Sequence, residues 1–177
     1  LRIKQAALVV LGIVALTAMA KAKFFLPGNP VPVTLGTFGV LTIGAAYGPR
    51  LGLVTILGYL ALGAAGATVF AGDKAGITYM MGGTGGYLVG YVLATLALGF
   101  AAARGWDRNI GKMALAMFVG NALIYVPGLL WLNGFAENWA QTLEWGITPF
   151  LIGDALKLAL AALLLPTVWK LVGKARA

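Results

Sequence analysis

From Thr148 the chain reads TPFLIGDALKLALAALLLPTVWKLVGK to Lys174, and this stretch limits what the whole can become. Its apolar run is long enough to cross a bilayer, which takes about 20 helical residues at about 1.5 Å each. Yet it carries an acid and a base, Asp154 and Lys157. An ionisable side chain at mid-bilayer costs roughly 2.5–3.5 kcal/mol on insertion scales, so such groups face a bundle interior or a wet cavity. Residues i and i+3 share a helix face, so carboxylate and ammonium point the same way, at one ligand or at each other. With Thr148 as N-cap and Pro149 as the first helical residue, a span over 149–172 is predicted, and the pair falls in its first third.

The other segments share that solvent. Hydrophobic residues make up 60% of the 177 and charged residues 10%, more apolar surface than a water-soluble core of this size can hide. The pattern predicts an all-α integral membrane protein, one domain over 1–177, with six transmembrane helices near 5–23, 34–47, 51–67, 83–103, 113–132 and 149–172. In the first, Arg2 and Lys4 precede an apolar run closed by Lys21 and Lys23; Ala18-Met19-Ala20 also has the look of a signal-peptide cleavage site, but the run is expected to be the first span. The prolines and Gly28 of FFLPGNPVPV (24–33) predict an extended, turning connection. Gly48-Pro49-Arg50 predicts a tight turn, and helix 34–47 is short for a full crossing.

The connection TVFAGDKAGITYMMGGTGG (68–86) is the most irregular part of the chain. Gly83-Thr84-Gly85-Gly86 lacks the lysine of a phosphate loop and follows no strand, so a nucleotide site is rejected. Gly82, Gly86 and Gly90 recur every four residues, giving a bare helix face for packing or for backbone amides near a ligand. Helix 113–132 contains Pro127 and sets Asn121 and Tyr125 on one face. The chain has neither Cys nor His, which removes disulfides, the usual zinc sites and His-dependent triads; no metal is expected. The net charge of +8 is spread over short loops with no stripe of interleaved aromatics, so nucleic acid is not the expected partner.

Six spans put both termini on one side. Arg2, Lys4, Arg50, Arg104, Arg108, Lys112, Lys170, Lys174 and Arg176 then lie with the termini, nine in all, against Lys21, Lys23 and Lys74, three, on the other face. That bias predicts cytoplasmic termini. The proline, glycine-rich and tryptophan-bearing connections then face outward, on the side of Asp154 and Lys157. Their aromatics suit either an interfacial belt or the closure of a pocket floored by the charged pair. Such a pocket draws its candidate lining from Thr34, Phe70, Asp73, Lys74, Tyr79, Thr84, Gly85, Gly86, Tyr87, Asn121 and Tyr125. A carboxylate beside an ammonium, among amide and phenol groups, suits a small flat group with NH donors and a carbonyl acceptor; a cyclic urea fits.

The runs PGNPVPVTL and TF (27–38), GPRLG (48–52), VFAG (69–72), TGGYLVGY (84–91), IYVPGLLWL (124–132) and TPFLIGDALK (148–157) together resemble the BioY family. BioY proteins are the biotin-specific S components of energy-coupling factor (ECF) vitamin transporters. The resemblance covers nearly the whole chain in one order. It departs from the family at Gly36, Thr68 and Gly83.

The resemblance implies a six-helix membrane protein of a bacterial or archaeal cytoplasmic membrane, taking up biotin from outside. It works with or without a membrane-embedded T subunit and two ATP-hydrolysing subunits. ATP would be used by those partners, and no cofactor is expected on this chain. The family's acid and lysine fall on Asp154, toward a ureido NH, and Lys157, toward the ureido oxygen. Lys74, Thr84 and the amides around Gly85 and Gly86 are alternatives for the biotin carboxylate. Ala18 and Ala22 correspond to the small-residue motif that meets the T subunit. Two other functions are consistent with the residues: an S component for another vitamin, and an intramembrane enzyme using Asp154 and Lys157, which no G-x-S-x-G pattern supports.

Overall fold

A computed structural model describes residues 2–172, with Phe24 described by its backbone alone; Lys174 and Arg176 of the charge count lie outside the described residues. Helices α1 (Arg2–Lys21), α2 (Gly36–Ala64), α4 (Gly85–Ala103), α5 (Ile110–Leu132) and α7 (Leu151–Val172) are each long and apolar enough to cross a membrane. Short helices α3 (Gly76–Met80) and α6 (Trp139–Gly146) lie in the connections.

The long helices make six crossings because α2 is broken at Gly48, whose φ of 75° and ψ of −179° are not helical. A straight helix would hold Gly44 and Gly52 about 12 Å apart. Instead a Cβ built on Gly52 would lie 3.6 Å from the Gly44 Cα, so the two halves fold back on each other. Pro49 follows the break, where its missing N–H falls among donors that a new helix leaves unpaired anyway. The predicted turn at 48–50 therefore stands, with ends shifted from 34 to Gly36 and from 67 to Ala64.

Helix α1 packs along this hairpin. A Cβ on Gly12 would meet Thr55 and Tyr47, and the Tyr47 hydroxyl donates to the Leu8 carbonyl at 2.8 Å. Helix α4 lies between α2 and α5. A Cβ on Gly44 would stand 2.9 Å from the Thr95 carbonyl, and one on Gly90 2.6 Å from the Ile124 Cα. Glycine brings these backbones together, the packing use expected of Gly86 and Gly90, whereas Gly82 precedes α4 and a Cβ there would meet the Tyr79 and Thr78 carbonyls of its own turn. Elsewhere large apolar side chains such as Leu57, Val89, Phe118 and Leu160 are exposed, as the lipid-facing surface of a spanning bundle requires.

Three local features depart from the predicted outline. The proline-rich connection is closed by a small antiparallel pair, β1 (Lys23–Phe24) and β2 (Val33–Thr34), with Lys23 opposite Thr34. Helix α5 begins at Ile110 because Asn109 caps it, its side chain accepting from the Lys112 N–H at 3.0 Å. Thr148 is no N-cap: residues Thr148–Phe150 form a 3-10 turn, and the Thr148 hydroxyl donates to the Leu143 carbonyl at 3.0 Å. The turn leads into α7, which runs through Pro166 without interruption.

Candidate functional site

One end of the bundle gathers the last residue of α1, the starts of α2, α4 and α7, and the end of α5. The three longest connections close over it. The Asn29 amide donates to the Trp145 carbonyl at 3.0 Å, and Lys21 Nζ donates to the Gly72 carbonyl at 2.7 Å. Beneath them lies a cavity that is open at its mouth. Val31, Pro32, Thr34 and Thr37 form one wall, and Tyr87, Leu88 and Tyr91 of α4 form another. Tyr79 and Thr84 line the rim, while Tyr125, Phe150, Asp154 and Lys157 complete the lining.

The charged pair is held by contacts from two other elements, α5 and β2. Asp154 is 7% exposed. Its Oδ2 accepts a hydrogen bond from the Tyr125 hydroxyl and a long one, 3.5 Å, from the Asn121 amide. Its Oδ1 faces Lys157 Nζ at 3.3 Å, and the same ammonium donates to the Thr34 carbonyl at 2.8 Å. An acid near the start of a helix also meets the positive end of the helix dipole. Oδ2 is thus engaged by neutral donors of α5, leaving Oδ1 and the ammonium as the charged edge that lines the cavity. The pair is neither turned to hydrocarbon nor sealed away from space.

Tyr87 packs edge-on against Tyr125 at 6.1 Å between ring centres, and its hydroxyl donates to the Gly146 carbonyl at 2.8 Å. Its ring, rather than its oxygen, is what the cavity meets. Tyr91, Thr37, Leu88 and Phe150 line the same space and were not among the residues expected from sequence. Tyr91 had a legible signal, since it follows Tyr87 by one helical turn within TGGYLVGY.

Several expected residues lie elsewhere. Phe70 is 1% exposed, stacked on Tyr79 at 4.8 Å and edge-on to Tyr59 at 5.4 Å; it supports the rim from behind. Gly85 and Gly86 are buried by packing. A Cβ on Gly85 would stand 3.0 Å from Trp131 Nε1, and Gly86 lies against the Pro127 carbonyl. The amides of Gly85 and Tyr87 are spent on the carbonyls of Gly82 and Thr84. Asn121 touches Asp154 from behind without lining the cavity. Asp73 is exposed and outside it. Lys74 lines an adjoining cavity that shares Pro32, Tyr79 and Thr84 with the first. Ala18 of α1 and Ala22, one residue past its end, are both exposed.

Against this geometry stand the comparisons with known proteins. The model of the BioY family matches residues 1–174. The chain belongs to the BioY family. A probable biotin transporter BioY of Pyrococcus horikoshii is 37% identical over 164 residues, covering 93% of this chain and 95% of its own. The biotin transporter BioY of Thermotoga maritima is 31% identical over 153 residues, covering 86% and 89%. The fold matches a crystal structure of the S component for biotin from an ECF-type ABC transporter, with a TM-score of 0.84 and 20% identity over 96% of this chain and 92% of that one. A BioY protein is a membrane transport component and not an enzyme, which sets aside the intramembrane-enzyme reading of Asp154 and Lys157.

Proposed function

We infer that this chain binds biotin at the cavity beside Asp154 and Lys157 and serves its uptake as the substrate-specific component of an ECF transporter. The observation that carries this reading is the pairing of one carboxylate oxygen with one ammonium on the wall of a cavity otherwise lined by tyrosine rings and aliphatic side chains. A ureido ring offers an NH to Asp154 Oδ1 and its carbonyl to Lys157 Nζ, replacing the ion pair's internal contact with two charge-assisted hydrogen bonds. Tyr87, Tyr91, Leu88 and Val31 supply the apolar walls for the fused rings. The valerate chain then runs toward the rim, where Thr84 lines both this cavity and the adjoining one that Lys74 lines. The Thr84 side chain makes no capping bond to α4, which leaves its hydroxyl available to a carboxylate.

The orientation follows the charge bias: cytoplasmic termini, and the site facing outward. The exposed Ala18 and Ala22 mark α1 as the face that meets a T subunit, with ATP hydrolysed by two further subunits. Purified protein titrated with biotin, thiamine and riboflavin tests the reading. Biotin binding at nanomolar concentrations, with the other two failing to compete, is the expected result; saturable binding of thiamine or riboflavin in its place would reassign the substrate.

A further inference from the structure

At the opposite end of the bundle, where the chain turns at Gly48, α4 and α5 separate and leave a furrow open to the lipid side. It encloses about 610 Å³, its open side included. Ala97 and Ala101 of α4 and Ala116 of α5 form its floor. Leu115 and Val119, 54% and 45% exposed, form the lip that faces hydrocarbon. Nearer the cavity end the same two helices touch backbone to backbone at Gly90 and Ile124. The furrow thus widens as it approaches the membrane surface, where Arg104 and Trp106 close its end.

A bilayer does not leave such a space empty, because atoms lining a void forfeit their dispersion contacts. Hydrocarbon of acyl-chain width suits alanine walls. The charge at the furrow's end selects among lipids. Arg104 lines it, Arg108 follows within the same connection, and Lys112 lies in the first turn of α5, all three exposed. A guanidinium matches phosphate geometrically, and a basic cluster beside a spanning helix favours headgroups with net negative charge. Trp106 brings an aromatic ring of the kind enriched at headgroup depth.

We propose that the α4–α5 furrow is a binding site for an anionic phospholipid, with one acyl chain lying along Ala97, Ala101 and Ala116 and the phosphate held by Arg104. The inference does not depend on which vitamin occupies the cavity at the other end.

Native mass spectrometry of the intact protein, released from micelles containing equal amounts of phosphatidylglycerol and phosphatidylcholine, tests it. Phosphatidylglycerol adducts should dominate by several-fold. Arg104→Gln should reduce that preference at least threefold, and Ala101→Leu, which fills the furrow, should reduce adducts of both lipids. Lys74→Gln, at the other end, should alter neither, and a cooperative thermal unfolding transition checks that each variant is folded. Equal retention of the two lipids by the parent, or an Arg104→Gln profile matching the parent, would overturn the proposal. So would loss of a dimer on Ala101→Leu with lipid adducts unchanged, which would assign the furrow to a second copy of the chain.

Discussion

Lys157 Nζ lies closer to the Thr34 carbonyl, 2.8 Å, than to the Asp154 carboxylate three residues before it, 3.3 Å. The ammonium therefore ties β2, at the end of the proline-rich connection, to the start of α7. An ammonium has three donors, so it can keep the main-chain contact while a ligand carbonyl takes another. Removing the charge with Lys157→Met should loosen the segment even without ligand. Amide exchange across residues 31–36 is expected to rise at least about threefold, roughly 0.65 kcal/mol of local protection. Unchanged exchange there would show that the tether contributes nothing.

Tyr125 orients the acid from α5. Tyr125→Phe removes a hydrogen bond to a charged group, a loss of about 1.5–3 kcal/mol. Biotin affinity should fall about 10- to 100-fold in an equilibrium titration, with the fold retained. Affinity equal to the parent would mean that Asp154 is held without its α5 donor.

The close approach of α4 and α5 rests on Gly90. A leucine there would drive its Cβ into the Ile124 backbone, 2.6 Å from the Cα and 2.8 Å from the carbonyl oxygen. Backbone cannot swing aside as a side chain can, so Gly90→Leu should destabilise by about 3 kcal/mol or more. Thermal unfolding in detergent should drop by several degrees. Gly153→Ala, where a Cβ meets open space, should leave stability equal to the parent's or raise it by up to about 1 kcal/mol, since alanine favours helix over glycine.

Topology is open to direct labelling because the chain contains no cysteine. In intact cells an impermeant maleimide should label Lys74→Cys readily and Lys112→Cys only after permeabilisation. The reverse pattern would invert the orientation that the charge bias implies.

Much of this architecture was legible in the sequence because its strongest signals are local. Apolar run length marked the spans, and Gly48-Pro49 marked a break, since a left-handed φ followed by proline suits few other structures. Asp154 and Lys157 stood out because charge within an apolar run is costly without a cavity. The side chains surrounding them were harder to read. Phe70 and Gly86 lie beside site residues in sequence yet serve packing, and Thr37, Tyr91 and Phe150 reach the cavity only through the way the helices pack together. Nothing in FFLPGNPVPV announced the pairing of Lys23 with Thr34, because two-residue strands have no periodicity to detect. The Thr148 cap failed for a related reason: a threonine followed by proline fits both an N-cap and a 3-10 entry, and only the nearby Leu143 carbonyl decided between them.

The central claim is that Asp154 and Lys157 hold the ligand, and equilibrium binding of labelled biotin to the purified parent, Asp154→Asn and Lys157→Met tests it most directly. Each substitution deletes one ligand contact and leaves the opposite charge buried without its partner, a loss of about 3–5 kcal/mol. Nanomolar binding by the parent should weaken by about 100-fold or more in each variant. Parent-like affinity in both variants would contradict the claim.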